Sequence, residues 1–217
     1  MPTNYKKLLK TYFILQPATM IFLIINIFMM FVTLFMGGFN VESLVKLGAL
    51  YPPFVTEFGE YYRLITTAFL HGSILHALFN MIALFYLGGH LERLIGNLRY
   101  SLLYLLSALG SSIAVVLLKP NSVTIGASGA IYGIIGALLV LTFTRKEWFY
   151  SHVIRSIRNL IIINIAFTFL VPSISIEGHL GGFIIGFVFI QFMTPYEPQI
   201  QKKLEKIEKD RQDTWIN

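Results

Sequence analysis

The amino-acid sequence predicts an all-α membrane protein, a bundle of six transmembrane helices with both chain ends on the cytoplasmic side. Three observations carry that reading. Of 217 residues, 55% are hydrophobic and only 13% are charged, with a mean hydropathy of +0.68, so charges are too sparse to cover a water-soluble globule of this size. The apolar residues gather in six runs, each near the roughly 20 residues needed to cross a hydrocarbon core about 30 Å thick. The basic residues fall mainly on alternate connections, as the cytoplasmic preference of Lys and Arg requires.

Residues 1–17 form a cytoplasmic segment whose Lys6, Lys7 and Lys10 precede the first run, 18–37. That run is too long for a signal-peptide core and reads as a retained span. The connection 38–73 is long and apolar for a loop, with Leu47–Phe54 and Tyr61–Leu70 as its apolar parts, and is expected to fold back onto the membrane surface. Further spans are expected at 74–91, 101–118, 128–144, 153–172 and 178–194. In the fifth, the apolar run covers only Leu160–Val171, and Arg155 and Arg158 must snorkel at one end. Residues 195–217 make a charged, helix-prone cytoplasmic tail with Leu204, Ile207 and Trp215 on one face. The spans form one domain, 18–194, without an internal repeat of the inverted-transporter kind.

With the N-terminus inside, the cytoplasmic side collects Lys6, Lys7, Lys10, Arg93, Arg99, Arg145, Lys146, Arg155, Arg158 and the basic residues of the tail, leaving Lys46, Arg63 and Lys119 outside. The net charge of +6 is therefore accounted for by topology, and no nucleic-acid partner is implied. Without cysteine, disulfides, thiolate nucleophiles and Cys-ligated metals are excluded.

Spans two, four and six run from outside to inside, and their first turns carry the polar residues. His76 and Asn80 share one face of span two, Ser128 opens span four, and His179 opens span six. Polar groups inside a span are costly and mark a functional site by default; an interhelical hydrogen bond explains any one of them more readily than three helices converging in one leaflet. Ser128 to Thr144 rises only about 25 Å. With Arg145 and Lys146 at the inner headgroups, Ser128 lies several Å below the outer surface. The irregular backbone at Gly126 and Ala127 then requires surrounding protein or a water-filled cavity.

Gly129 and Gly133 in span four, and Gly178, Gly182 and Gly186 in span six, recur every four residues, a spacing that lets helix backbones approach closely. Such an approach brings a hydroxyl and an imidazole within reach, as activating a serine at neutral pH requires. The helix N-terminus at Ser128 offers free N–H groups to an oxyanion, and His76 and Asn80 can add side-chain donors. Glu177, two residues before His179, faces nearly the opposite way, so a Ser/His dyad is expected, with Tyr132 one turn below Ser128 packing on the imidazole.

The sequence resembles the rhomboid intramembrane serine proteases. The resemblance rests on Gly126-Ala127-Ser128-Gly129 with Tyr132, on Gly178-His179-Leu180-Gly181-Gly182, and on His71-Gly72-Ser73-Ile74-Leu75-His76-Ala77-Leu78-Phe79-Asn80, followed by Tyr86-Leu87-Gly88-Gly89 and Glu92. It covers roughly residues 50–190. It implies a rhomboid-like bundle with Ser128 as nucleophile, His179 as base, and His76, Asn80 and the Ser128 amide as oxyanion ligands, supported by Tyr132 and Gly126. It also implies single-span membrane-protein substrates within membrane lipid, lateral entry past spans two and five, and no cofactor or metal. The expected location is a bacterial cell membrane, with the site open to the extracytoplasmic side. Where the family usually has Trp-Arg in the first outer loop, this chain has Tyr62-Arg63. The alternative on the same fold is a non-catalytic protein that binds transmembrane segments and steers their fate. An aspartyl protease is excluded because Asp210 and Asp213 lie in the tail. A His-Glu-x-x-His zinc motif is missing, and a transporter lacks charges near the midplane.

Overall fold

The computed structural model describes residues 2–170, 174–201 and 203–205. Its helices, in chain order, are α1 (Pro2–Leu15), α2 (Pro17–Phe35), the short α3 (Val41–Lys46), α4 (Pro52–Thr56) and α5 (Arg63–Thr66), and α6 (Ile74–Ile95). They continue with α7 (Asn97–Leu118), α8 (Ser128–Thr144), α9 (Ser151–Leu170) and α10 (Ile176–Met193). By length and composition α2, α6, α7, α9 and α10 can cross a membrane, while α8 is apolar but has only 17 residues. The expected six spans thus resolve into five full-length helices and one shorter helix. The expected end of the fifth span and the tail face at Ile207 and Trp215 lie outside the described residues.

The short helix is the centre of the bundle. Almost all of α8 from Gly129 to Thr142 is buried, around its whole circumference, which explains an apolar sequence without an amphipathic stripe. Its glycines meet those of α10: a Cβ on Gly182 would stand 2.8 Å from the carbonyl carbon of Gly129, and one on Gly186 would stand 2.5 Å from that of Gly133. The two backbones are therefore in contact, the arrangement small residues at four-residue spacing permit. α10 also lies against α7, where a Cβ on Gly181 would meet Gly110 O at 2.6 Å. α9 is the most peripheral span, with Ile157, Ile161 and Thr168 turned inward and Ile162, Ile163 and Phe169 outward. Together with exposed Phe28, Phe35, Phe79 and Phe192 on other spans, it gives the bundle an apolar exterior suited to lipid rather than water.

The second and third spans are longer than expected, reaching Ile95 and starting at Asn97. The charged residues that suggested a connection are inside helices, and the turn is made by Gly96 alone, at φ 87°. Glu92 is fully buried; its carboxylate accepts the backbone N–H groups of Ala18 at 2.9 Å and Thr19 at 2.7 Å. It thereby caps α2, whose first amides have no partner within the helix. Lys203 Nζ donates to Leu15 O at 3.1 Å, which brings the chain after α10 to the α1–α2 junction. Within α6 the backbone widens into a π turn over Leu84–Gly88.

The connection between α2 and α6 is ordered by Arg63, which is buried. Its Nη1 donates to Val45 O at 2.7 Å and Ala49 O at 2.9 Å, and its Nε to Glu60 Oε2 at 2.5 Å. The exposed Tyr62 donates to the same carboxylate at 3.0 Å. That carboxyl is held below its ordinary range by these bonds, Arg63 first. A backbone bridge between Leu50 and Thr124 (3.1 and 2.8 Å) joins this connection to the segment before α8.

Candidate active site

The chain enters α8 through a constrained turn. Gly126 has φ 122°, a conformation that side chains disfavour, and its N–H donates to Thr67 O at 3.0 Å. Thr67 Oγ1 in turn donates to Thr124 O at 2.5 Å. The α2–α6 connection therefore holds the backbone just before Ser128. Ala127 has no side-chain cap, and its carbonyl accepts the first helical bond, from Ile131 N at 3.0 Å. The amides of Ser128 and Gly129 lie in the first turn, where an α-helix leaves N–H groups unpaired and its dipole is positive. Ser128 itself is only partly buried.

His76 overhangs this turn. A Cβ on Gly126 would meet His76 Cε1 and Nε2 at 3.0 Å each and Ser128 Oγ at 3.6 Å, so a larger residue at 126 would require the imidazole to give way by a few tenths of an ångström. Gly72 N–H points at His76 Nδ1 at 3.5 Å, an orientation that makes Nδ1 the acceptor and leaves Nε2 as the protonated nitrogen. Ser73 caps α6 by accepting the amide of His76 at 3.1 Å. One turn on, Asn80 is buried, and among the described residues no hydrogen bond occupies its carboxamide. Behind His76, edge-on at 5.1 Å, lies the fully buried His71. Burial first, and His76 second, push its pKa down to about 3, so it adds no charge at neutral pH.

His179 lies in the first turn of α10, which Ser175 caps by accepting Gly178 N–H at 3.2 Å. Its imidazole stacks on the Tyr132 ring, with centroids 3.9 Å apart and planes 18° from parallel. Tyr132 follows Ser128 by one turn of α8, so the imidazole sits on the serine's side of that helix. Among the described residues no hydrogen bond joins Ser128 Oγ to His179. Glu177 turns away, 3.7 Å from Lys119 Nζ. The structure thus gathers Ser128, His179, Tyr132, Gly126 and His76 at one end of α8, with Asn80 on the same face of α6 as His76. Among the described residues no three His, Asp or Glu side chains cluster as metal ligands.

Two neighbours escaped the sequence reading. Thr168 Oγ1 lies 2.9 Å from His179 Nδ1, and the carbonyl of Asn164 accepts the Tyr132 hydroxyl at 2.6 Å. Their signal was an i, i+4 polar pair within the apolar run of the fifth span.

Fold and site together define a multi-span helical membrane protein with a Ser/His pair set at one end of its most buried helix. Residues 58–196 match the family model described as the Rhomboid domain. The chain is 39% identical over 170 residues to Rhomboid protease GluP of Bacillus subtilis (strain 168), covering 78% of this chain and 33% of that protein. It is 39% identical over 168 residues to RHOMBOID-like protein 5 of Arabidopsis thaliana, covering 75% and 53%. It is also 33% identical over 174 residues to RHOMBOID-like protein 4 of that plant, covering 77% and 41%. This chain belongs to the rhomboid family. It spans between a third and about half of the length of these relatives.

Proposed function

We propose that this chain is an intramembrane serine endopeptidase that hydrolyses peptide bonds in or near the transmembrane segments of single-span membrane proteins. The observation that carries the reading is the stacking of His179 on Tyr132, one helical turn from Ser128, across the glycine contact of α8 and α10. Ser128 Oγ attacks the scissile carbonyl while His179 Nε2 takes its proton, then returns that proton to the leaving amine; water repeats the sequence on the acyl-enzyme. The Ser128 amide, the Nε2–H of His76 and the Asn80 carboxamide receive the oxyanion, each donor supporting roughly 2.7–4 kcal/mol of transition-state stabilisation. The Ser–His hydrogen bond closes when substrate orders the site, as is common for catalytic contacts that are long in the free enzyme. No cofactor or metal takes part in these steps.

In this reading α8 is a sixth span whose short length leaves Ser128 below the extracytoplasmic surface, and both termini are cytoplasmic. The meeting of Lys203 with Leu15 at the end of the bundle that carries Arg93 supports the common side. The spans, residues 18–194, form the protease domain and residues 195–217 a cytoplasmic tail, in a bacterial cell membrane. A nucleophile at that depth reaches only a substrate helix that has opened locally, so cleavage should favour small or helix-weakening residues. Incubating purified protein with a single-span reporter tests the reading: wild type should cleave it in the outer half of its span, and Ser128→Ala should not. Cleavage by Ser128→Ala, or mapping to the cytoplasmic half, overturns it.

A further inference from the structure

We propose that Thr168 is the positioning residue of His179: its hydroxyl, presented by α9, accepts the Nδ1 proton and so reserves Nε2 for Ser128. The inference rests on the protease reading above and supplies the third member that the sequence lacks, since Glu177 faces Lys119 instead. Thr168 is buried, and its Oγ1 has three polar neighbours: His179 Nδ1 at 2.9 Å, Asn164 O at 3.0 Å and the Tyr132 hydroxyl, in short contact.

Counting protons gives this cluster a direction. Thr168 and Tyr132 each carry one hydroxyl proton, and Asn164 O, already the acceptor of a helical N–H, has one lone pair to spare. Tyr132 is nearer to it, at 2.6 Å, and donates there. Thr168 then donates to the Tyr132 oxygen, and its own free lone pair faces Nδ1. With both hydroxyl protons spent on Asn164 O and within the Thr168–Tyr132 contact, Nδ1 carries the proton and Nε2 carries the lone pair, which is the tautomer a general base needs. The reverse arrangement, with Thr168 donating to Nδ1, would place the proton on Nε2, where it could not accept one from serine.

The same geometry serves the charged state. When Nε2 takes the serine proton, the imidazolium donates from both nitrogens, and Nδ1–H already points at an acceptor, so nothing has to reorient. The stacked Tyr132 ring fixes the plane of the imidazole, and Thr168 fixes its rotation within that plane. Two helices, α8 and α9, thus orient a base carried by a third. A neutral hydroxyl holds an imidazolium less strongly than a carboxylate does, so Thr168 acts by orientation and tautomer.

The test compares the wild-type chain with Thr168→Val, which keeps the shape, and Thr168→Ser, which keeps the hydroxyl. Thr168→Val should lower kcat about tenfold, the rate equivalent of one ordinary hydrogen bond, with KM unchanged, and Thr168→Ser should restore most of it. Nitrogen-15 NMR of labelled histidine should find His179 as the Nδ1–H tautomer in wild type and a mixture in Thr168→Val. An unchanged kcat and tautomer in Thr168→Val, or a serine variant as slow as the valine one, overturns the proposal. A wild type that neither cleaves a reporter nor reacts with a fluorophosphonate overturns the protease reading instead, and the tautomer measurement still decides the role of Thr168.

Discussion

Replacing Gly182 with alanine should separate the two helices that carry Ser128 and His179, the proposed nucleophile and base. The added Cβ would stand 2.8 Å from Gly129 C and 3.3 Å from Gly129 Cα, and closer still to the Gly129 oxygen. Ordinary carbon–carbon contact begins near 3.5 Å. The obstacle is backbone, so no side chain can swing aside, and α10 must retreat from α8 by roughly 1 Å. That retreat also opens the contacts of Gly186 with Gly133 and of Gly136 with Phe183. Overpacking of this kind costs about 1–3 kcal/mol, and with backbone on both sides the upper end is expected, about 3 kcal/mol. Because Ser128 precedes Gly129 and His179 precedes Gly182 by less than a turn, the same shift misplaces the proposed dyad, and roughly 1 Å of misplacement costs about 100-fold in rate. Reversible unfolding in micelles gives the first quantity and single-turnover cleavage the second. Gly72→Ala is the stability control, since its Cβ meets only the movable Cδ1 of Ile125, at 3.2 Å. A Gly182→Ala protein within about 0.5 kcal/mol of wild type refutes the backbone contact, and unaltered turnover refutes its role in holding the dyad.

Glu92→Ala should destabilise the fold by roughly 3 kcal/mol, because the buried Ala18 and Thr19 amides lose a charged acceptor. Glu92→Gln, which keeps one oxygen, should lose about half as much, and equal losses in equilibrium unfolding would contradict the capping role. His71 gives a pH signature. Its folded pKa is about 3 against an ordinary 6.5, so the unfolded chain binds its proton first. That contribution is complete above about pH 6.5 and is lost as pH falls toward 3. The unfolding free energy of His71→Gln should therefore fall less steeply than wild type between about pH 6.5 and pH 4, and parallel slopes would show that the buried ring does not contribute.

Most of the helices were legible because each apolar run must be long enough to span lipid and few other structures tolerate such runs. The contact of α8 with α10 was legible for a related reason: glycines four apart on two spans have little use except close approach. Glu92, Arg93 and Arg99 misled the boundary of α6, since a charge usually ends a span. Here Glu92 is buried as the cap of α2, a partner 73 residues away along the chain that no local pattern records. Thr168 was missed for the same kind of reason. A polar pair on α9 gains meaning only when one knows which face of that helix is turned to His179. The short helices α3–α5 were expected only as a fold-back on the surface, because their order comes from Arg63 bonding to carbonyls 14 and 18 residues earlier.

The central claim is that Ser128 is an activated nucleophile, and labelling of the membrane-reconstituted chain by a fluorophosphonate probe, with the adduct mapped by mass spectrometry, tests it most directly. The expected result is a single adduct on Ser128, lost in Ser128→Ala and strongly slowed in His179→Ala. An adduct on a different serine, or labelling that persists undiminished in Ser128→Ala, would contradict it.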